Sequence, residues 1–196
     1  MKQNTKQIFL DQNYKCGEFY ELCIQVCPSK DNDPIILYTN YLWTLDYVYG
    51  PLNECFDNIP IENEINSINH GILMLDNYEI PFCTINVCEE NGYNWFDISI
   101  YKSVIEKIFG KRYIALNEIS KMPNILKIFF ERIAYELYKI YPFQLGIRGV
   151  EVSGYNNIKN ILDNDLEDDK LIEYYIGNNN YHKLSSNNKN IITLIE

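Results

Sequence analysis

The sequence predicts an α+β fold: an antiparallel β-sheet built from hairpins, with two main α-helices packed on one face. Three features lead there. Apolar residues alternate at period two through much of the first half. An Asn-Gly pair separates two such runs. In the second half, a long apolar stripe of period 3.6 lies between Pro123 and Pro142. Strand and helix do not alternate regularly enough for a doubly wound fold. The chain has 196 residues and no internal repeat. It suits one globular domain over 1–196, with a polar, mobile segment over 177–190.

In 19–27, Tyr20, Leu22, Ile24 and Val26 share one face. Phe19, Glu21, Cys23, Gln25 and Cys27 share the other, as in a half-buried strand. PSKDNDP then supplies turn formers. Residues 35–45, IILYTNYLWTL, are rich in β-branched and aromatic side chains and read as the returning strand of a long-looped hairpin. Gly50-Pro51 and Pro60 interrupt the next stretch, which reads as a short helix near 52–59 followed by a loop. GILML, at 71–75, reads as a short strand. Runs 79–89 and 94–99 flank Asn91-Gly92, a pair fitted to a type I′ hairpin turn. Pro81 cannot donate to a ladder and belongs at a strand start or an edge.

Ser99 is placed to cap a helix over 100–109. Ile100, Val104, Ile105 and Ile108 would form its stripe, and Gly110 would end it. The clearest element is the helix within 123–141. Pro123 suits its first turn, and Leu126, Phe129, Phe130, Ile133, Leu137 and Ile140 line one side. Residues 143–153 read as a strand in which Gly146 and Gly149 mark a bulge or a close backbone approach. One or two helical turns are expected in 156–162. Residues 171–176 are ambiguous between helix and strand, 177–190 reads as loop, and 191–195 as a terminal strand.

Charge restricts the partners. With 17 basic and 27 acidic side chains, the net charge is −10. Its field opposes nucleic acid and anionic membranes, so neither is an expected partner. The N-terminal stretch lacks the apolar core of a signal peptide, and no window has the length of a membrane span. A cytoplasmic protein is therefore expected, with Cys16, Cys23, Cys27, Cys55, Cys83 and Cys88 as reduced thiols. The 17 Tyr, with abundant Asn, Ile and Lys, match A/T-rich codons and a bacterial or phage source.

Tests for chemistry return little. Cys23 and Cys27 would share a strand face, too far apart to bond one another. Cys83 and Cys88 would fall on opposite faces. Neither pair has zinc-site spacing, and no metal or cofactor is expected. His70 and His182 are the only histidines. No nucleophile elbow surrounds a serine, which leaves a Cys–His pairing, such as Cys55 with His70, as the open nucleophile–base arrangement. LGIRGVEVSG lacks the ending of a phosphate loop. The run Asp163, Asp165, Glu167, Asp168, Asp169 lacks the glycine and closing glutamate of a calcium loop, which leaves a solvated acidic surface. Aromatics crowd 38–49, and Trp95 and Phe96 follow the Asn-Gly turn.

These features are the type found in bacterial immunity and inhibitor proteins and in phage anti-defence proteins. The expectation is a non-enzymatic acidic binding protein that neutralises a basic partner, such as a toxin or defence effector. Asp165, Asp168 and Asp169 would supply charge for encounter. Trp43 and Trp95, each near a strand end, would reach outward as anchors. The competing expectation is a small-molecule enzyme of unrecognised type, with a Cys/His or carboxylate pocket between sheet and helices.

Overall fold

The computed structural model describes residues 3–64, 66–110, 121–167, 169 and 171–196. The fold is α+β, as the sequence predicts. An eight-stranded sheet contains β1 (Phe19–Pro28), β2 (Val48–Tyr49), β3 (Ile68–Leu75), β4 (Tyr78–Cys88), β5 (Tyr93–Tyr101), β6 (Leu145–Val150), β7 (Ile172–Gly177) and β8 (Ile192–Ile195). Their order is β2-β3-β4-β5-β1-β6-β7-β8. Every pairing is antiparallel except β7 with β8, which run parallel.

Alternation along the strands divides the molecule into two layers. On one face Tyr20, Leu22, Ile24 and Val26 of β1 meet Phe96, Ile98 and Ile100 of β5. They pack beneath α2 (Asp33–Trp43) and α4 (Asn124–Ile140), through Ile35, Tyr38 and Leu42 and through Leu126, Phe130, Ile133 and Leu137. Helix α1 (Gln3–Leu10) and α3 (Lys102–Phe109) add Ile8, Val104 and Ile105 to this core. On the other face Cys23, Trp95, Leu145, Ile147 and Tyr174 form a smaller core with Ile158 and Ile161 of α5 (Ile158–Asp163). Two short helices, α6 (Asn178–Tyr181) and α7 (Ser186–Ile191), complete the chain before β8.

The helix expected within 123–141 is α4. Pro123 sits at its N-cap, and Phe129, Phe130, Ile133 and Leu137 are buried. Gly110 ends α3 with φ +103. Residues 171–176 resolve as strand, and 156–162 supply α5, capped by Asn157, which accepts from the Asn160 N–H. Gly149 is a close approach: a Cβ there would lie 2.7 Å from the Leu171 carbonyl oxygen. Pro81 pairs with Ile72 of β3 at a level where the β4–β5 ladder has already ended. That side of β4 needs no donor there.

Several expectations are corrected. Residues 35–43, read as part of a returning strand, belong to α2. Pro34 opens its first turn, and Ile35, Tyr38, Thr39 and Leu42 are buried at helical spacing. The neighbours of β1 are therefore β5 and β6, both distant in sequence. The β5 ladder runs on to Tyr101, so Ile100 is a strand residue and Ser99 caps nothing. The connection between β4 and β5 closes with the Gly92 N–H on the Glu89 carbonyl. Only Asn91 of the Asn-Gly pair is left-handed, so the turn is not type I′. Residues 52–59 hold a Leu52–Asn58 bridge rather than a helix. The 177–190 loop contains α6 and α7, the latter capped by the Ser185 side chain. A register shift between Gln25 and Cys27 turns Cys27 into the larger core while Cys23 stays in the smaller one. The two thiols thus face opposite sides of the sheet.

Candidate functional site

The smaller face carries a buried polar row. Register aligns Cys83, Ser99 and Glu21 across β4, β5 and β1, and next to them Ile85, Asp97, Cys23 and Ile147. Glu21 is 3 % exposed and Asp97 6 %. Ser153, in the β6–α5 connection, lies over both carboxyls. Its N–H donates to Glu21 Oε1 at 2.7 Å, and its hydroxyl lies 3.1 Å from Glu21 Oε2 and 3.3 Å from Asp97 Oδ2. The Cys23 thiol is 3.2 Å from the same hydroxyl. Gln25, further along β1, accepts from the Ile158 N–H at 2.7 Å. Glu21 and Gln25 thereby hold the 153–158 segment against the sheet.

Electrostatics follow from that geometry. Among the described residues, neither Glu21 nor Asp97 has an ion-pair partner. Burial, then the Glu21 charge beside it, pushes the Asp97 carboxyl up to about 7. Burial raises Glu21 too, against the lowering effect of its Ser153 hydrogen bonds. Asp97 therefore exchanges its proton near neutral pH, beside a Glu21 carboxyl that burial also raises. Burial, and then Asp97, lifts the Cys83 thiol to about 12 and Cys23 well above its ordinary value. Neither is a thiolate nucleophile at neutral pH.

A cavity of about 110 Å³ adjoins the pair, lined by Val87, Glu89, Trp95, Asp97, Ser153 and Gly154. Among the described residues, Asp97 Oδ1 and Trp95 Nε1 are both buried without a hydrogen-bond partner. Beyond Gly154 the chain enters a second, open groove of about 410 Å³. Tyr155, Asn160, Asn164, Asp165, Glu167 and Tyr174 are among its lining residues. Asn188, buried beneath, organises this edge. It accepts from the Leu166 N–H and donates to the carbonyls of Ile161 and Asn164.

The residues expected to bind a partner fall in different places. Trp43 is 6 % exposed: its ring stacks on Phe82, its Nε1–H donates to Thr84, and it covers Gly71, where a Cβ would come within 2.5 Å of the ring. Trp95 is 4 % exposed. Both are core residues, which corrects the expectation that their rings reach outward. Each strand or helix end that carries them is covered by a neighbouring element. Asp165 is exposed and accepts from Ser185 at 2.5 Å and Asn187 at 3.1 Å. Asp169 is half-buried and accepts from the Leu171 N–H. Asp168 lies outside the described residues. The sequence reading missed Tyr155, the ring that is 57 % exposed beside the acidic run. It also missed Glu21 and Asp97, whose signal was a carboxylate at every-other spacing inside each strand.

Of the remaining candidates, His70 continues the row onto β3, where it pairs with Cys83. His70 is half-buried near Phe9, and burial lowers it, with Lys15 adding to the effect. Cys55 and His182 are exposed. All six cysteines are free thiols. Among the described residues, no cluster of three His, Cys, Asp or Glu side chains is arranged to hold a metal, and no helix is long and apolar enough to cross a membrane. No protein-family model, curated protein sequence or solved structure matches the chain.

Proposed function

We propose that this chain is a non-enzymatic acidic binding protein of the cytoplasm. It neutralises a basic protein partner, a bacterial toxin or defence effector, in the manner of immunity, antitoxin or phage anti-defence inhibitors. The observation that carries this reading is the open groove of about 410 Å³, where exposed Tyr155 stands beside Asp165 and Glu167. A ring with a polar tip and carboxylates around a concave surface match what a cationic protein surface presents. The charge of −10 supports it, because the field favours a basic protein over nucleic acid. Docking is assigned to this groove, with Tyr155 in place of the buried Trp43 and Trp95.

The test is capture from host lysate by the wild-type protein and by the triple variant Asp165→Asn, Glu167→Gln, Asp169→Asn. The amide at 165 keeps an acceptor for Ser185. A basic protein should be retained by the wild type, released near 500 mM salt, where screening shortens to about 4 Å, and lost from the variant. Retention that ignores both salt and the three charges removes the reading.

A further inference from the structure

The Glu21–Asp97 pair poses a problem of charge. Two carboxyls are buried side by side, and among the described residues no lysine or arginine pairs with either. Buried anions without a compensating charge are costly. Donors around them favour Glu21, which accepts from the Ser153 N–H and the Ser99 hydroxyl. The Ser153 hydroxyl carries one proton, yet it lies within reach of Glu21, Asp97 and Cys23. Among the described residues, Asp97 Oδ1 is left without a donor. Asp97 and Trp95 line the same cavity, whose rim carries a third carboxylate, Glu89.

We infer that this cavity is a binding site for a small organic cation of the guanidinium or primary ammonium class. The ligand supplies N–H donors to Asp97, and its charge offsets the buried pair. Glu89 draws it to the mouth, and the Trp95 indole and Val87 form the apolar wall. A cavity of about 110 Å³ exceeds what one water needs and admits a group of a few heavy atoms. A bare metal ion fits less well, since no three-ligand cluster is present among the described residues and the wall is apolar. Empty, the site sheds part of its negative charge when Asp97 takes up a proton. Cation and proton then compete for Asp97, so binding strengthens as pH rises through neutrality. The groups facing Asp97 in this competition are Glu21 and Cys23 of β1, Cys83 of β4, Ser153, and Glu89 at the rim. This is a binding site, separate from the groove proposed for a protein partner, and it needs no partner to be tested.

The experiment is a heteronuclear NMR titration with methylguanidinium chloride at about pH 8 and about pH 5.5. Sodium chloride at matched ionic strength and uncharged urea are the controls. The two tryptophans give two indole N–H signals, and Trp95→Phe identifies the one that matters. The Trp95 signal should shift saturably at about pH 8. Affinity should fall about tenfold or more in Asp97→Asn and at the lower pH, the expected effect of losing one charge-assisted contact. The controls should leave the signal in place. The same spectra report whether each variant is folded. If Asp97→Asn is not, Glu89→Gln serves as the second variant and should weaken binding several-fold. Absence of a saturable shift at about pH 8 overturns the inference. So does equal binding at the two pH values, in a folded Asp97→Asn, or in Glu89→Gln, and so does an equal shift with sodium chloride.

Discussion

Asp97 occupies the middle of β5, between β1 and β4, where the sheet and the 153–158 segment exclude water from its carboxyl. The sign of the consequence follows from its raised pKa. An unfolded Asp titrates near 4, whereas the folded one titrates near 7. Between those values the folded chain holds the extra proton. Its contribution is therefore fully present below about pH 4 and is lost as pH rises towards 7. Glu21 acts in the same direction. Asp97→Asn removes the Asp97 share of the dependence, so the stability of the variant relative to wild type should grow with pH, by up to about 1.4 kcal/mol per unit in that window. Urea denaturation at three pH values across the window measures this, and parallel curves would place the proton elsewhere. Asp97 was visible in the sequence only as a polar residue on the outer side of a half-buried strand. Nothing in the weakly patterned 151–163 stretch announced that it would cover that side. The role of Ser153 was illegible for the same reason, since it depends on contacts across more than a hundred residues.

At the scale of elements, legibility depended on how many signals agreed. In α4 the apolar stripe, the opening proline and the closing Pro142 all point to one helix. In α2 they conflict. The β-branched and aromatic residues of IILYTNYLWTL favour a strand, while Pro34 and the spacing of Ile35, Tyr38, Thr39 and Leu42 favour a helix. Tertiary packing decides. The helix buries Tyr38 and Leu42 under the sheet and lets the Tyr38 hydroxyl donate to the Tyr141 carbonyl at 2.5 Å, tying α2 to the end of α4. A strand would have offered one face where a helix offers this stripe. Leu42→Ala should accordingly cost about 2–5 kcal/mol, as a fully buried truncation does. Leu37→Glu, on the solvent side of α2, should stay within about 0.5 kcal/mol. Urea midpoints of the two variants check the orientation of α2, and the reverse order would turn the helix over. The Cys23–Cys27 expectation failed on a smaller feature. One extra residue in a strand reverses every face beyond it, and nothing in FYELCIQVC marks where that occurs.

For the whole molecule, composition and pattern lead to the class but not to the strand order. The centre of the sheet joins β1 to strands far along the chain, and parallel β8 closes one edge. Those pairings bury an apolar core under α2 and α4. They leave the opposite layer thinner and threaded with polar groups, and the acidic groove lies there, at the α5 and β7 edge. A docking surface so placed separates rate from lifetime. The charges of Asp165, Glu167 and Asp169 act at a distance, so converting all three to amides should slow association with the captured partner. Raising salt from about 50 to about 500 mM should do the same, as the Debye length falls from about 14 to about 4 Å. Tyr155 acts only on contact. Tyr155→Ala should leave association nearly unchanged and raise the dissociation rate about 30-fold, equivalent to about 2 kcal/mol. Trp43→Ala and Trp95→Ala should instead lower stability by about 3–5 kcal/mol, because each ring is core. Surface plasmon resonance with the partner immobilised, alongside thermal unfolding of each variant, separates these outcomes. A Tyr155→Ala variant that is stable and dissociates at the wild-type rate would exclude this groove as the docking surface.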